Sequence, residues 1–135
     1  MFEGRYMMDN IVNSINNGFW ADSDIDKLEI DFDTVRIDIS LDTGFGDTVS
    51  IHCKDYIGFS FVGHWDESVV ESIRIDESGT LIDESLHAVK QLYGENPLAG
   101  GGVKNIDDCW YQLNIKLIDG NIFRVACKDF ETVER

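Results

Sequence analysis

The chain has 135 residues and a mass of 15.3 kDa, the size of one domain, and 43% of it is hydrophobic, so a packed core is expected and disorder is not. Its 26 acids and 11 bases leave a net charge of −15, which disfavours nucleic acid phosphates and anionic membranes and makes a cationic protein the natural complement. Three cysteines, at 53, 109 and 127, do not suggest a disulfide framework. No run is long enough to span a bilayer, and the N-terminal stretch lacks the continuous apolar core of a signal peptide, so a soluble, cytoplasmic protein is expected.

In chain order, the first regular segment is DNIVNSINNG. Met8, Ile11, Val12 and Ile15 recur at helical spacing, with Asp9 placed to cap the start and Gly18 to end it. Its asparagines lower intrinsic helicity, so packing must hold it. In KLEIDFDTVRIDISLD, Leu28, Ile30 and Phe32 alternate with charges, then Val35, Ile37, Ile39 and Leu41 alternate on the other parity. A two-residue turn at Asp33-Thr34 produces that change and sets Phe32 opposite Val35. Asp-Thr is not a favoured pair there, and a longer loop is the alternative.

Val49, Ile51 and Cys53 continue the alternation after a Gly-containing loop. YIGFSFVGHW reads as an aromatic strand. In SVVESIRID, Val69, Ile73 and Ile75 share a strand phase that Glu71 interrupts. TLIDESLHAVKQLYGENP reads as a helix with Ile82, Ser85, Leu86, Val89 and Tyr93 on one face. Thr80 and Asp83 form its capping pair, Gly94 closes it and Pro97 prevents its return. After three glycines at 100–102, Tyr111, Leu113, Ile115 and Leu117 alternate, Asp119-Gly120 turns the chain, and Phe123, Val125 and Cys127 return.

Two short stretches match: HCKDY at 52–56 and ACKDF at 126–130. With Cys53 aligned on Cys127, Ile51 falls on Val125 and Val49 on Phe123, and the two helix-ending glycines are offset by 76. This pattern fits a helix–hairpin pseudo-repeat, although a shared tripeptide also arises by chance. Either way both cysteines fall at inward strand positions, where a small buried hydrophobe is expected. The fold class expected is α+β: a mainly antiparallel sheet of about six to seven strands with two helices packed on one side, in a single domain.

The charge is clustered. Residues 22–47 hold nine acids against Lys27 and Arg36, and residues 66–84 hold seven against Arg74, so the two stretches carry −13 of the −15. Asp31 and Asp38 fall inside strand patterns against their preference, as functional surface often does. An exposed sheet face that uses charge to block aggregation is the alternative. The outward positions of the last hairpin, Gln112, Asn114, Lys116, Arg124 and Lys128, are neutral to basic. The expected partner-binding residues are Asp22, Asp24, Asp26, Asp31, Asp33 and Asp38, together with Trp65, Asp66 and Glu67, where an interface-prone ring sits beside two acids.

Catalytic motifs are weak. DSDIDK at 22–27 resembles the start of a calcium loop, but Lys27 stands where Gly is needed and Asp33 where Glu is needed. His52 and Cys53 are neighbours and point to opposite faces of a strand, and His64 and His87 have no partner at zinc spacing. GGGVKN lacks the Lys-Ser/Thr of a phosphate loop, and no nucleophile motif is present. No catalytic residue, cofactor or metal is expected.

In size, acidity and α+β layout the chain resembles small bacterial immunity proteins, which neutralise toxin domains, often cationic nucleases, delivered by neighbouring cells. GHWDESVVESIRID also looks like a segment of uncharacterised small bacterial domains. The resemblance implies a non-enzymatic inhibitor that covers a basic toxin surface; it carries no functional residue across. The alternative is a small-ligand or metal-binding regulatory domain that uses the aromatic strand at 56–65 to line a pocket. A structural subunit, acidic only for solubility, is a third reading.

Overall fold

Alternating patterns in both halves of the chain do form antiparallel strands, but in two sheets. The computed structural model describes residues 2–61, 68–93 and 109–134, and for residues 2–7 and 93 the backbone alone. The elements are α1 (Phe2–Asn16), β1 (Asp24–Ile30), β2 (Thr34–Ser40), β3 (Thr48–Lys54), β4 (Gly58–Ser60), β5 (Val70–Asp76), α2 (Thr80–Tyr93), β6 (Tyr111–Leu117), β7 (Ile122–Cys127) and β8 (Asp129–Glu134). One sheet has the order β1-β2-β3-β8 and the other β4-β7-β6-β5. The class is α+β as expected. Among the described residues eight strands in two sheets replace the six to seven in one, and the short run after Cys127 forms a strand of its own beside β3.

The inner faces of the sheets share one core. Val35, Ile37 and Ile39 of β2 and Ile51 and Cys53 of β3 meet Leu113 and Ile115 of β6 and Val125 and Cys127 of β7, all without solvent exposure. Each fully buried aliphatic side chain of this kind is worth about 1.5–3 kcal/mol. The sheets are stitched together at two corners. At one, the chain passes from β7 into β8 at Lys128, whose backbone N–H donates to the Lys54 carbonyl at 3.2 Å. At the other, the start of β1 meets the start of β5: Asp22 N–H donates to the Val70 carbonyl (2.9 Å), and Val70 N–H donates to the Ser23 carbonyl (2.7 Å).

Two bulges set the strand phases. In β1 the register shifts between Ile25 and Lys27, so Asp26 is extra and Leu28 pairs with Ile37. In β5 it shifts between Val70 and Ser72, which makes Val70 the buried residue where Val69 was expected, and places the interrupting Glu71 in the bulge. The β1–β2 turn is the longer of the two alternatives. Ile30 pairs with Val35, Asp31 N–H donates to the Thr34 carbonyl at 2.8 Å, and Phe32 sits exposed at the tip.

The helices do not share a side. α1 places Met8 and Ile15 in the main core, with Ile11 and Val12 at its border, and touches β5 and β8, end strands of different sheets. α2 instead covers the opposite face of the second sheet. There Leu81 and Ile82 form a second cluster with Trp110 and Ala126, bordered by Ile57 and Leu86. Ala126 leaves room on that face for a helix. The two halves therefore place their helices differently relative to their hairpins. Among the described residues no helix is long and apolar enough to cross a membrane.

Candidate binding surface

The end of α1 builds the first wall of the site. Its last carbonyls need partners. Asn17 supplies both its backbone N–H and its Nδ2 to the Asn13 carbonyl, at 3.0 and 2.8 Å, and Gly18 N–H donates to the Ile15 carbonyl at 3.2 Å. The indole of Trp20 folds back and donates Nε1–H to the same Ile15 carbonyl at 2.7 Å. Gly18 permits this, since a Cβ there would lie 2.8 Å from the indole Cε2. Asn16 fixes the helix end to the second sheet by a reciprocal pair, accepting from Ile75 N–H (2.7 Å) and donating to the Ile75 carbonyl (3.0 Å). With Trp20 turned inward, Phe19 is left 97% exposed.

The loop at 41–47 builds the second wall. Leu41 N–H donates to the Asp47 carbonyl at 2.9 Å, and the Thr43 hydroxyl donates to the Asp47 carboxylate at 2.8 Å while accepting from Phe45 N–H at 3.3 Å. Gly44 and Gly46 take φ of 77° and 75°, backbone that other residues adopt at a cost. Between them Phe45 is held in solvent, 87% exposed. The pairing of Val49 with Glu134 brings in the end of β8 as the third side.

These parts enclose a cleft of about 390 Å³, within the range of small-ligand sites. Buried Ile15, Trp20 and Val49 and half-buried Leu41 form its floor, and exposed Phe19, Asp42 and Glu134 stand at its rim. Asp42 and Glu134 line it, and four more carboxylates lie on the adjoining chain: Asp22 just after the Ala21 wall, Asp24 and Asp26 at the start of β1 beside Ser40, and Asp47 in the loop. Asp24 accepts from the Ser68 hydroxyl at 3.4 Å and Asp26 from the Ser40 hydroxyl. Among the described residues the ion pairs are Lys27–Glu29, Arg36–Asp38, Lys54–Glu131, Arg74–Asp76 and Lys116–Glu71, and none reaches these six. No family model, curated protein or solved structure matches the chain.

The other expected site residues lie elsewhere. Asp31 and Asp33 flank Phe32 at the far end of β1, about 20 Å from Asp24 at the usual strand rise. Asp31 accepts from Phe32 N–H and Asp33 from the Thr34 hydroxyl. Asp38 lies on the outer face of the first sheet, where it takes both Nε–H and an Nη–H of Arg36 (3.0 and 3.2 Å) and the Ser50 hydroxyl. That face alternates in sign: Lys27 stands opposite Asp38, Glu29 opposite Arg36, and Lys54 pairs with Glu131. Its pairs shift the protonation equilibria as expected. Lys27 holds the Glu29 carboxyl below its usual range, Lys54 does the same for Glu131, and Asp38 raises the Arg36 guanidinium. Trp65, Asp66 and Glu67 lie outside the described residues.

In the second acidic stretch, Asp76 is paired with Arg74 at 2.9 Å and accepts from Asn114 at 3.2 Å, and Glu71 faces Lys116 at 3.5 Å. Asp83 occupies the first turn of α2, where the helix dipole favours a negative charge. The calcium-like stretch at 22–27 is a turn followed by the bulged start of β1, with Asp22 at a φ of 68°. Among the described residues no cluster of His, Cys, Asp and Glu converges in a way that could hold a metal. Phe59 and Phe61 stack on each other with centroids 5.2 Å apart and lean on Phe123, so these two rings pack against the main core. Sequence reasoning passed over Phe19, Phe45 and Glu134 as site residues. The stretch DTGFGD carried a readable signal for Phe45, a ring between two turn glycines; Glu134 carried none, since long-range pairing places it.

Proposed function

We propose that the chain is a non-enzymatic binding protein that engages a basic protein partner through this loop end, and that it acts as a bacterial immunity protein covering a cationic toxin domain. The supporting observation is six carboxylates, without ion-pair partners among the described residues, on the segments that frame an apolar cleft, with Phe19 exposed at its rim and Phe45 exposed on the adjoining loop. Unpaired anionic groups steer a cationic partner and speed encounter, whereas exposed rings supply the desolvated contact that slows release. The charges on the outer face of the first sheet are already neutralised by neighbours and attract a partner less.

The test pairs a cellular and a kinetic measurement. The genes flanking the one for this chain are searched for a cationic toxin domain, whose absence counts against the proposal, and cells expressing the chain are challenged with the domain so found. Protection that fails when Asp22, Asp24, Asp42 and Asp47 are changed together to Asn, with association slowed at low salt, is the expected result. No protection by the unaltered chain, or equal protection by the variant, overturns the proposal.

A further inference from the structure

We infer that the cleft takes an arginine of that basic partner together with the apolar residue next to it, an assignment that rests on the reading above. The floor and rim divide in the way such an anchor requires. Ile15, Trp20, Leu41 and Val49 offer apolar surface for the methylene stem and its neighbour, and the volume of about 390 Å³ accommodates more than one side chain. Asp42 and Glu134 stand at the mouth, brought there from different strands by the β2–β3 loop and the β3–β8 pairing. Their carboxylates have no ion-pair partner among the described residues.

Phe19 supplies the feature that selects arginine over lysine. Its ring lines the same cleft and is almost wholly in solvent. A guanidinium is planar and weakly hydrated; it stacks on an aromatic face while donating in its plane to carboxylates. An ammonium ion is compact, strongly hydrated and lacks that plane. The wall is braced from behind: the Trp20 indole is fixed to the Ile15 carbonyl and the Asn16 amide is fixed to Ile75, so little ordering is needed when the cleft fills.

Backbone and indole NMR of the full chain tests the assignment, with acetyl-Leu-Arg-amide as probe and its lysine and citrulline counterparts as controls. The expected perturbations centre on residues 19–21, 41–43 and 132–134 and on the Trp20 indole. The arginine probe should bind about threefold tighter than the lysine probe, the ratio a weak cation–π contact supplies. The citrulline probe, without charge, should bind about tenfold weaker than the arginine probe. Asp42→Asn with Glu134→Gln should remove the charge preference, and Phe19→Ala the arginine-over-lysine preference; all three side chains are exposed, so the fold is retained. Perturbations centred elsewhere, or equal binding of arginine and citrulline probes, overturn the assignment. Decalysine at low salt separates the two proposals. If it settles on the loop end while the arginine probe ignores the cleft, the anchor is wrong and the proposed surface stands. If neither reaches the loop end, both fall.

Discussion

Cys127 illustrates how burial sets chemistry one side chain at a time. Desolvation, and then the adjacent Cys53 thiol, push its thiol pKa well above the ordinary 9.0. A thiol that stays neutral in the fold but ionises in the unfolded chain has no effect on stability below that value, and its protonated fold loses stability as pH rises past it. The melting temperature should therefore fall above about pH 9, and less steeply in a Cys127→Ala variant. At neutral pH a thiol-specific reagent should label Cys109, the exposed cysteine, quickly and label Cys53 and Cys127 only on unfolding. Rapid labelling of all three would contradict the packing. Gln112 is a second case. Its carboxamide oxygen accepts from the N–H groups of Leu81 (3.0 Å) and Ile82 (3.3 Å), so a side chain 30 residues away caps α2. Gln112→Leu should cost about 1–3 kcal/mol in urea unfolding, since buried donors lose their partner. A change near zero would show that water replaces the cap.

Elements show what a linear pattern can and cannot carry. The two hairpins, the second helix, the latter part of the first and the inward cysteines were legible because period-2 and period-3.6 patterns are local consequences of burial; the start of α1 was not, since it begins at Phe2 and Asp9, expected as its cap, lies inside it. The bulge at Glu71 was visible only as an interruption and the one at Asp26 not at all, since an extra residue changes phase without leaving a motif. Gln112 was read as an outward polar position of the last hairpin. It is outward from the main core, yet buried, because α2 docks on that face and sequence does not say which face a helix will choose. The acidic stretch at 22–47 was legible as composition, but a strand about 20 Å long separates its two ends, and Arg36 neutralises Asp38 between them. Changing Asp31 and Asp33 together to Asn should accordingly alter partner association far less than the loop-end substitutions. An equal effect in stopped-flow mixing at low salt would show that the hairpin tip also engages the partner. On the outer face, Glu29 and Glu131 have lowered carboxyl pKa values, so their pairs support the fold above the ordinary carboxylate range and lose that support as pH falls through the lowered values. Their NMR titration midpoints should lie below the ordinary 4.5 and move toward it with added salt, because both pairs are open to solvent.

At the scale of the molecule, a net charge of −15 on a chain of 135 residues is a standing repulsion. Added sodium chloride should raise the melting temperature from its low-salt value, and a fall would mean that the surface ion pairs outweigh the repulsion. The arrangement of that charge is the core of the account. Paired and alternating charges cover the outer face of the first sheet, and carboxylates without an ion-pair partner among the described residues collect where three segments meet around the cleft. Solvent paramagnetic relaxation with a matched pair of cationic and anionic nitroxides measures the potential at each backbone amide. The expected result is the strongest preference for the cationic probe at residues 22–26, 41–47 and 134. A uniform preference over the surface, or a maximum at residues 31–33, would contradict the account.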